Sequence, residues 1–387
     1  MEKPGITAII LAAGHSSRMG VFKPLLDLGG RPVVTRIVET CRQAGIDEVI
    51  VVAGYRKELI IPVIEGAGAR SAVNDRYEEG MFSSVIAGIS AMEQGPQAFI
   101  VLPADIPLVR AATIRSLVNR FMEGKNRILV PSFRGRKGHP PLISAGLQGA
   151  IMGFTGENGL KGALEKLESE TVKVEVPDGN ILFDIDNPAD YGELKERWKR
   201  REIPSEPECE ALMELMPGMD EHTRQHCRAV AKIGCRIADC LNSAGAGIDR
   251  EIVLAAALLH DLARGKPGHA REAARIVREA GFHGIAEAII THMDIEPGHG
   301  KDISAGEILF LADKLVSGDR PVSLADRFAQ ATARYGDDRD ALDAIGTRYN
   351  NARLIQERIE ARAGRPLQNS HCEEPAGDEA IHGQSVP

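Results

Sequence analysis

From residue 6 to about residue 200, short β-rich apolar runs alternate with amphipathic helical patterns, and this alternation constrains the chain more than any other feature. The expected strands are Ile6–Leu11, Glu48–Ala53, Ala98–Leu102, Arg127–Val130 and Thr171–Val176. Helical patterns lie between them at Pro32–Ala44, Ser83–Glu93 and Ala112–Glu123. Strand, helix and strand in repetition predict parallel strands joined by helical crossovers, with ligands held at the strands' carboxyl ends. The fold expected here is a Rossmann-like, doubly wound, mostly parallel α/β sheet.

After Trp198 the pattern changes. Lys199–Pro217 is charged and punctuated by proline, and no convincing strand follows it. Helical periodicity runs through His222–Leu241, Arg250–Leu262, His269–Ala280, Gly284–Thr291, Ser304–Val316, Ser323–Ala333 and Ala341–Ala363. The expected organisation is a first domain at 1–200, a linker at 201–218, an all-helical domain at 219–363 and a polar, disordered tail at 364–387. Apolar residues at 43% and charged residues at 26% fit a globular chain. A net charge of −8, with no basic stripe, argues against long nucleic acid as a partner. Six cysteines without a CxxC pair exclude zinc knuckles and suit free thiols in a reducing compartment. The N-terminal apolar stretch is too short to span a membrane, so the expected compartment is the cytoplasm and no membrane partner is expected.

The segment TAIILAAGHSSRMGVFKPLL ends a buried strand at Leu11 and continues with small or flexible residues as far as Lys23. Ala12, Ala13 and Gly14 leave main-chain N–H groups open to an anion, and Arg18 and Lys23 add charge suited to a triphosphate. The segment matches neither the Walker loop nor GxGxxG.

LAAGxSxRMGxxKxLL resembles the signature of the MobA-like nucleotidyltransferases, and among them it is most similar to the molybdenum cofactor cytidylyltransferases. Later landmarks match in order: Asn74, Gly80, Ser83 and Ser84 in NDRYEEGMFSSVIAG, Asp105 in LPADIPLV, the Gly138-His139-Pro140 triplet, and DIDNPADY from Asp184 to Tyr191. The resemblance implies a sheet of the nucleotide-diphospho-sugar-transferase type. It also implies Mg²⁺-dependent transfer of CMP from CTP to a molybdopterin-type cofactor, with release of pyrophosphate. Leu11 to Gly14, Arg18, Lys23, Asn74, Gly80, Ser83 and Ser84 would hold the nucleotide, with Arg18, Lys23 and Asp105 catalytic. Gly138, His139 and Pro140 would face the pterin.

Asp105, at the carboxyl end of an apolar strand, is a hard oxygen ligand suited to Mg²⁺, and Asp186 rather than Asp184 would complete that site. Both aspartates also suit helix capping. Ala13, where guanylyl-transferring members carry glycine, favours CTP over GTP. Use of GTP, or a sugar or polyol phosphate as acceptor, stays open. A molybdoenzyme or its chaperone is the protein partner the resemblance suggests.

In the second half, His260 and Asp261 close the apolar run IVLAAALLHD, and Asp313 interrupts ILFLADKLV. Unpartnered, such groups would cost several kcal/mol to bury, by order of magnitude, and a metal would offset that cost. The order His226, His260-Asp261, Asp313 resembles the HD-domain metal-dependent phosphohydrolases. The resemblance implies four metal ligands, a second ion at His269 and His292, and Asp261 as ligand, bridge or aid to proton transfer. The nitrogen and carboxylate donors suit Mn²⁺, Fe²⁺, Co²⁺, Ni²⁺ or Zn²⁺. Lys314 would contact phosphate or pair with Asp313, while His222, His283 and His299 read as surface residues. A nucleotide-sensing role for this half, in place of catalysis, is the other reading.

Overall fold

The computed structural model describes residues 5–15, 19–93, 95–124, 126–298, 300, 302–335 and 338–367. Arg18, His299 and the tail beyond Leu367, all singled out in the sequence, lie outside these residues. The chain divides into two compact units, Met1–Met219 with Asp261–Glu287 and Asp220–His260 with Ala288–Pro387.

The first unit is built on β1 (Ile6–Leu11), β2 (Glu48–Ala53), β3 (Arg70–Val73), β4 (Ala98–Pro103), β5 (Ile128–Phe133), β6 (Arg136–Lys137), β7 (Leu142–Ser144) and β8 (Thr171–Glu175). They form one sheet in the order β3-β2-β1-β4-β7-β5-β6, with β8 beside β5. β1 runs parallel to β2 and β4, and β2 to β3, as the alternating pattern requires; β7 enters antiparallel between β4 and β5. Side chains alternate along β1, so that Ile6, Ala8 and Ile10 belong to one core cluster and Ile9 and Leu11 to the other. Each large aliphatic side chain so buried contributes about 1.5–3 kcal/mol. Helix Val33–Gln43 covers one face with Val33, Val34, Ile37, Val38 and Cys41, the stripe expected of a 3.6-residue repeat.

Three features depart from the sequence reading. The stretch 201–218, expected as a linker, contains helix Glu206–Leu215, whose Cys209, Leu212 and Met213 are buried. Pro207 marks a start rather than a break: it sits in the first helical turn, where no N–H is needed, behind a capping box formed by Ser205 and Glu208. Segment Asp261–Glu287 groups with the first unit, where Phe282 is fully buried and the Arg110 guanidinium lies 4.3 Å from its ring centroid. The helical half also contains a two-stranded hairpin, Val316–Ser317 with Arg320–Pro321, too short to leave a periodic signal.

The second unit centres on helix Glu221–Ser243, packed by helices Arg250–Leu259, Ala305–Lys314 and Arg339–Ala363. Gly234 permits the close approach of helix Arg250–Leu259, since a Cβ there would lie 3.1 Å from Val253. Among the described residues, no helix is long and apolar enough to cross a membrane.

Candidate functional site

The loop after β1 continues the sheet's hydrogen bonding before it opens. Ala12 N–H donates to Val52 O at 3.0 Å and Tyr55 N–H to Ala13 O at 3.0 Å, while Ala104 N–H donates to Leu11 O at 3.0 Å. These bonds fix the loop after β4 beside the loop after β1. The result is a cavity of about 590 Å³ lined by Leu11, Ala12, Ala13, Gly14, Lys23 and Asp105, together with Gly80 and Ser84. Three parts of the sequence expectation therefore share one rim of the sheet.

Lys23 is buried, and its Nζ lies 3.1 Å from Asp186 Oδ1 and 3.8 Å from Asp105 Oδ2. Burial raises the Asp105 carboxyl above its ordinary range; Lys23 opposes this, and the charges of Asp184 and Asp186 add to it. Hard carboxylates converging around one cation form a donor set that fits Mg²⁺. The capping alternatives are taken by other residues. Asn187 caps helix Pro188–Lys199, its Oδ1 accepting from Ala189 and Asp190 N–H at 2.9 and 3.2 Å, and Arg110 occupies the cap position of helix Ala111–Met122.

Asn74 and Ser83 do not line the cavity. Asn74 is buried, and its Nδ2 donates to Ser83 Oγ at 2.9 Å and Ser84 Oγ at 3.0 Å; Ser83 Oγ in turn donates to Gly80 O at 2.8 Å. The network holds the turn whose Gly80 and Ser84 reach the cavity. Sequence reasoning missed the rings at the cavity's edge: His15 and Tyr77 line it, and His15 lies 4.6 Å from the Tyr55 centroid and 5.1 Å from that of Tyr77. The signal was present as NDRY and AGY, but isolated aromatics in loops carry no spacing rule.

A second cavity, about 640 Å³, shares Leu11, Gly80, Met81 and Pro103 with the first. Gly138 and His139 line it, with Pro141 rather than Pro140, beside the apolar side chains of Val85, Val101 and Leu160. His139 Nδ1 is buried with no hydrogen-bond partner, and burial lowers the pKa of the ring while Asp184 opposes. A neutral imidazole with an open nitrogen is suited to a polar group on an otherwise apolar ligand.

The boundary between the compact units falls on the His260–Asp261 peptide bond. On the second unit's side, Asp313 lies on helix Ala305–Lys314 with Oδ1 3.1 Å from His226 Nε2 and 3.7 Å from His260 Nε2. The His260 and His292 rings are 4.9 Å apart. Each histidine turns Nδ1 to a main-chain carbonyl: His226 to Gly318 at 2.7 Å, His260 to Ala257 at 2.8 Å and His292 to Ile289 at 2.7 Å. With Nδ1–H donated, Nε2 is the nitrogen left basic, the arrangement that orients histidine toward a metal. Gly318 belongs to the hairpin turn that the sequence did not reveal.

Burial opposes ionisation of Asp313, yet Lys314, His226 and His260 hold its carboxyl well below the usual range. Lys314 Nζ donates to Asp313 Oδ2 at 2.7 Å and to His292 O at 3.1 Å, so it pairs with the carboxylate. Burial, followed by the charge on His260, pushes the His292 pKa down to about 3. On the first unit's side, Asp261 Oδ1 lies 3.5 Å from His269 Nε2, and its Oδ2 accepts from Arg264 at 3.2 Å.

Residues 8–172 match the MobA-like NTP transferase domain, and residues 223–330 match the HD domain. The chain is 28% identical over 194 residues to the molybdenum cofactor cytidylyltransferase of Escherichia coli K12, covering 50% of this chain and 97% of that one. It is 30% identical over 158 residues to the nicotine blue oxidoreductase of Paenarthrobacter nicotinovorans, covering 39% and 76%. The bifunctional protein GlmU of Clavibacter sepedonicus is 31% identical over 137 residues, 34% of this chain, and the match spans only 28% of that relative's length. A solved nucleotidyl transferase from Methanothermobacter thermautotroptrophicus aligns over 50% of this chain and 98% of its own, at 26% identity and a TM-score of 0.45. The chain belongs to the MobA-like NTP transferase family through its first half and carries an HD domain in its second.

Proposed function

We propose that the first half, residues 1–200, transfers CMP from CTP to a molybdopterin-type molybdenum cofactor and releases pyrophosphate. The observation that carries this reading is the single cavity lined by Gly14, Lys23 and Asp105, with the Gly138-His139 cavity opening beside it. The amides of Ala13 and Gly14 bind the triphosphate, the Ala12 N–H being spent on Val52 O, and Lys23 neutralises charge that develops as the phosphoanhydride breaks. Asp105 and Asp186 would hold Mg²⁺, which would supply charge neutralisation for the phosphates. His139 and the apolar wall orient the acceptor, whose phosphate attacks the α-phosphorus in line, so no protein nucleophile is needed. The cytidylyltransferase relative supports CTP and the pterin acceptor over a sugar phosphate, because it aligns along nearly its whole length.

For the HD half, residues 219–363, we propose metal-dependent hydrolysis of a phosphoester or phosphoanhydride. By the likeness to the HD domain, which spans residues 223–330, His226, His260, Asp261 and Asp313 would be the ligands of the first ion, and His269 and His292 would serve a second. The chemistry these residues' metal would supply is activation of water for attack on a phosphorus centre. The chain's own contribution is the fixed histidine orientation and an Asp313 held ionised by Lys314. Purified protein incubated with Mg²⁺, molybdenum cofactor and either CTP or GTP tests the first proposal by pyrophosphate and nucleotide-linked pterin. Product with GTP alone would overturn it.

A further inference from the structure

The first unit has a third cavity, about 450 Å³, which shares no lining residue with the two described above. Arg36, Arg110, Arg115 and Arg201 line it, with Trp198 and His283. Glu39 and Glu202 also line it and pair with Arg36 at 3.2 Å and Arg201 at 3.4 Å. Beneath the wall, Arg110 is balanced by Asp178 at 3.7 Å and Glu208 at 3.3 Å.

Arg115 differs from the other three. Its Nη1 donates to Gln43 O at 2.9 Å and its Nη2 to Glu279 O at 3.5 Å, both main-chain carbonyls at helix C-termini. Carbonyl dipoles orient a guanidinium and satisfy part of its donor set, but they do not cancel its charge. The buried Arg110 Nε–H makes no hydrogen bond and lies 3.7 Å from Asp178 Oδ1, so Arg115 is the guanidinium whose charge no carboxylate offsets here. Arg36 and Arg201 lie 4.6 and 4.3 Å from the Trp198 ring centroid, each anchored in addition to a main-chain carbonyl. The cavity thus presents guanidinium groups already fixed in place, so the side-chain ordering that an anion would otherwise have to impose has been met by the fold.

We propose that this cavity is a binding site for a multiply charged phosphate anion, separate from the nucleotide cavity. The ligand is either free pyrophosphate or the triphosphate of a nucleotide, two sources of the same chemistry. The site's wall includes Pro107–Ala112, which directly continues the loop bearing Asp105, and also Gly281 and His283, which lie between the HD residues His269 and His292 in the chain. An anion bound here would therefore touch segments that lead to both sets of candidate catalytic residues. The site acts as a sensor for substrate or by-product rather than as a third active centre.

Trp198 is the only tryptophan in the chain, so its emission reports on this cavity. The test titrates the full-length protein with pyrophosphate, CTP and orthophosphate in separate arms, with the Lys23→Ala variant titrated alongside to silence the nucleotide cavity. A saturable change in emission is expected in both proteins, with affinity weakened about tenfold or more in Arg115→Gln and in Arg201→Gln. The tighter of the pyrophosphate and CTP arms identifies the source. Arg201 is 44% exposed, so its substitution keeps the test decisive if Arg115→Gln fails to fold, as judged by circular dichroism. No saturable change in the wild type, a change lost with Lys23→Ala, or a change that survives Arg201→Gln would each overturn the proposal.

Discussion

Gly138 offers the sharpest separation between the two adjoining cavities of the transferase half. A Cβ at this position would meet Ile181 O at 2.6 Å and Ile181 Cγ1 at 2.7 Å. Ordinary contact begins at 3.4 Å, so Gly138→Ala must open the loop by about 0.8 Å against a main-chain carbonyl that cannot rotate away. The same carbonyl accepts the His139 N–H at 3.0 Å, and the Gly138 N–H donates to Pro131 O at 2.8 Å, so the displacement strains two hydrogen bonds as well. Overpacking of this kind costs about 1–3 kcal/mol. A misplacement approaching 1 Å in a group that orients substrate costs up to about 10²-fold in rate. None of these residues lines the cavity at the end of β1 that is proposed for CTP. The expected outcome is a stability loss of about 1–3 kcal/mol in urea unfolding, kcat/KM for the pterin acceptor reduced by about 10–10²-fold, and CTP affinity unchanged in isothermal titration. Wild-type acceptor kinetics in a folded Gly138→Ala protein would refute the placement of the acceptor. Equal loss of CTP binding would refute the separation of the cavities.

Three further outcomes follow from the geometry. Asp261→Ala should abolish metal uptake and phosphohydrolase activity while leaving pyrophosphate release intact; joint loss of both activities in a folded variant would contradict independent sites. Burial raises the Cys41 thiol to about 12, so native protein should resist alkylation there at pH 8 while the unfolded chain reacts, and mass spectrometry of the labelled peptide decides this. Burial raises the Asp178 carboxyl, with Arg110 opposing. A raised folded pKa means that the native state keeps a proton the unfolded chain has lost, so the stability of wild type relative to Asp178→Asn should fall as pH rises above the ordinary carboxylate pKa of about 4, with a slope of at most about 1.4 kcal/mol per pH unit. Trp198 fluorescence in urea follows the first unit's transition, and a difference that is flat or rising with pH would refute the sign.

The sheet's central strands were legible because burial on both faces writes continuous apolar runs, as in Ile6–Leu11 and Ala98–Leu102. β3 was not: Arg70–Val73 has one buried residue and becomes a strand through pairing with β2 at the edge. β7 has three residues, and its antiparallel entry between β4 and β5 leaves no local trace. Residue identities at the candidate nucleotide site were readable from LAAG, Lys23 and Asp105, whereas roles were not. Asn74 and Ser83 carry the right chemistry for a ligand but spend their hydrogen bonds on the turn beneath it. In the helical half, the histidines and aspartates announce themselves by interrupting apolar runs. The carbonyl that orients His226 comes from a hairpin turn 92 residues away, a relation that only the fold creates.

Binding of CTP to wild type, Lys23→Ala and Asp105→Asn, measured by isothermal titration with and without Mg²⁺, tests most directly whether one nucleotide meets the amides, the lysine and the aspartate together. Lys23→Ala should weaken CTP in both conditions, and Asp105→Asn should remove the Mg²⁺-dependent part alone. Wild-type affinity in Lys23→Ala, or an undiminished Mg²⁺ effect in Asp105→Asn, would contradict a shared triphosphate and metal site at the carboxyl end of β1.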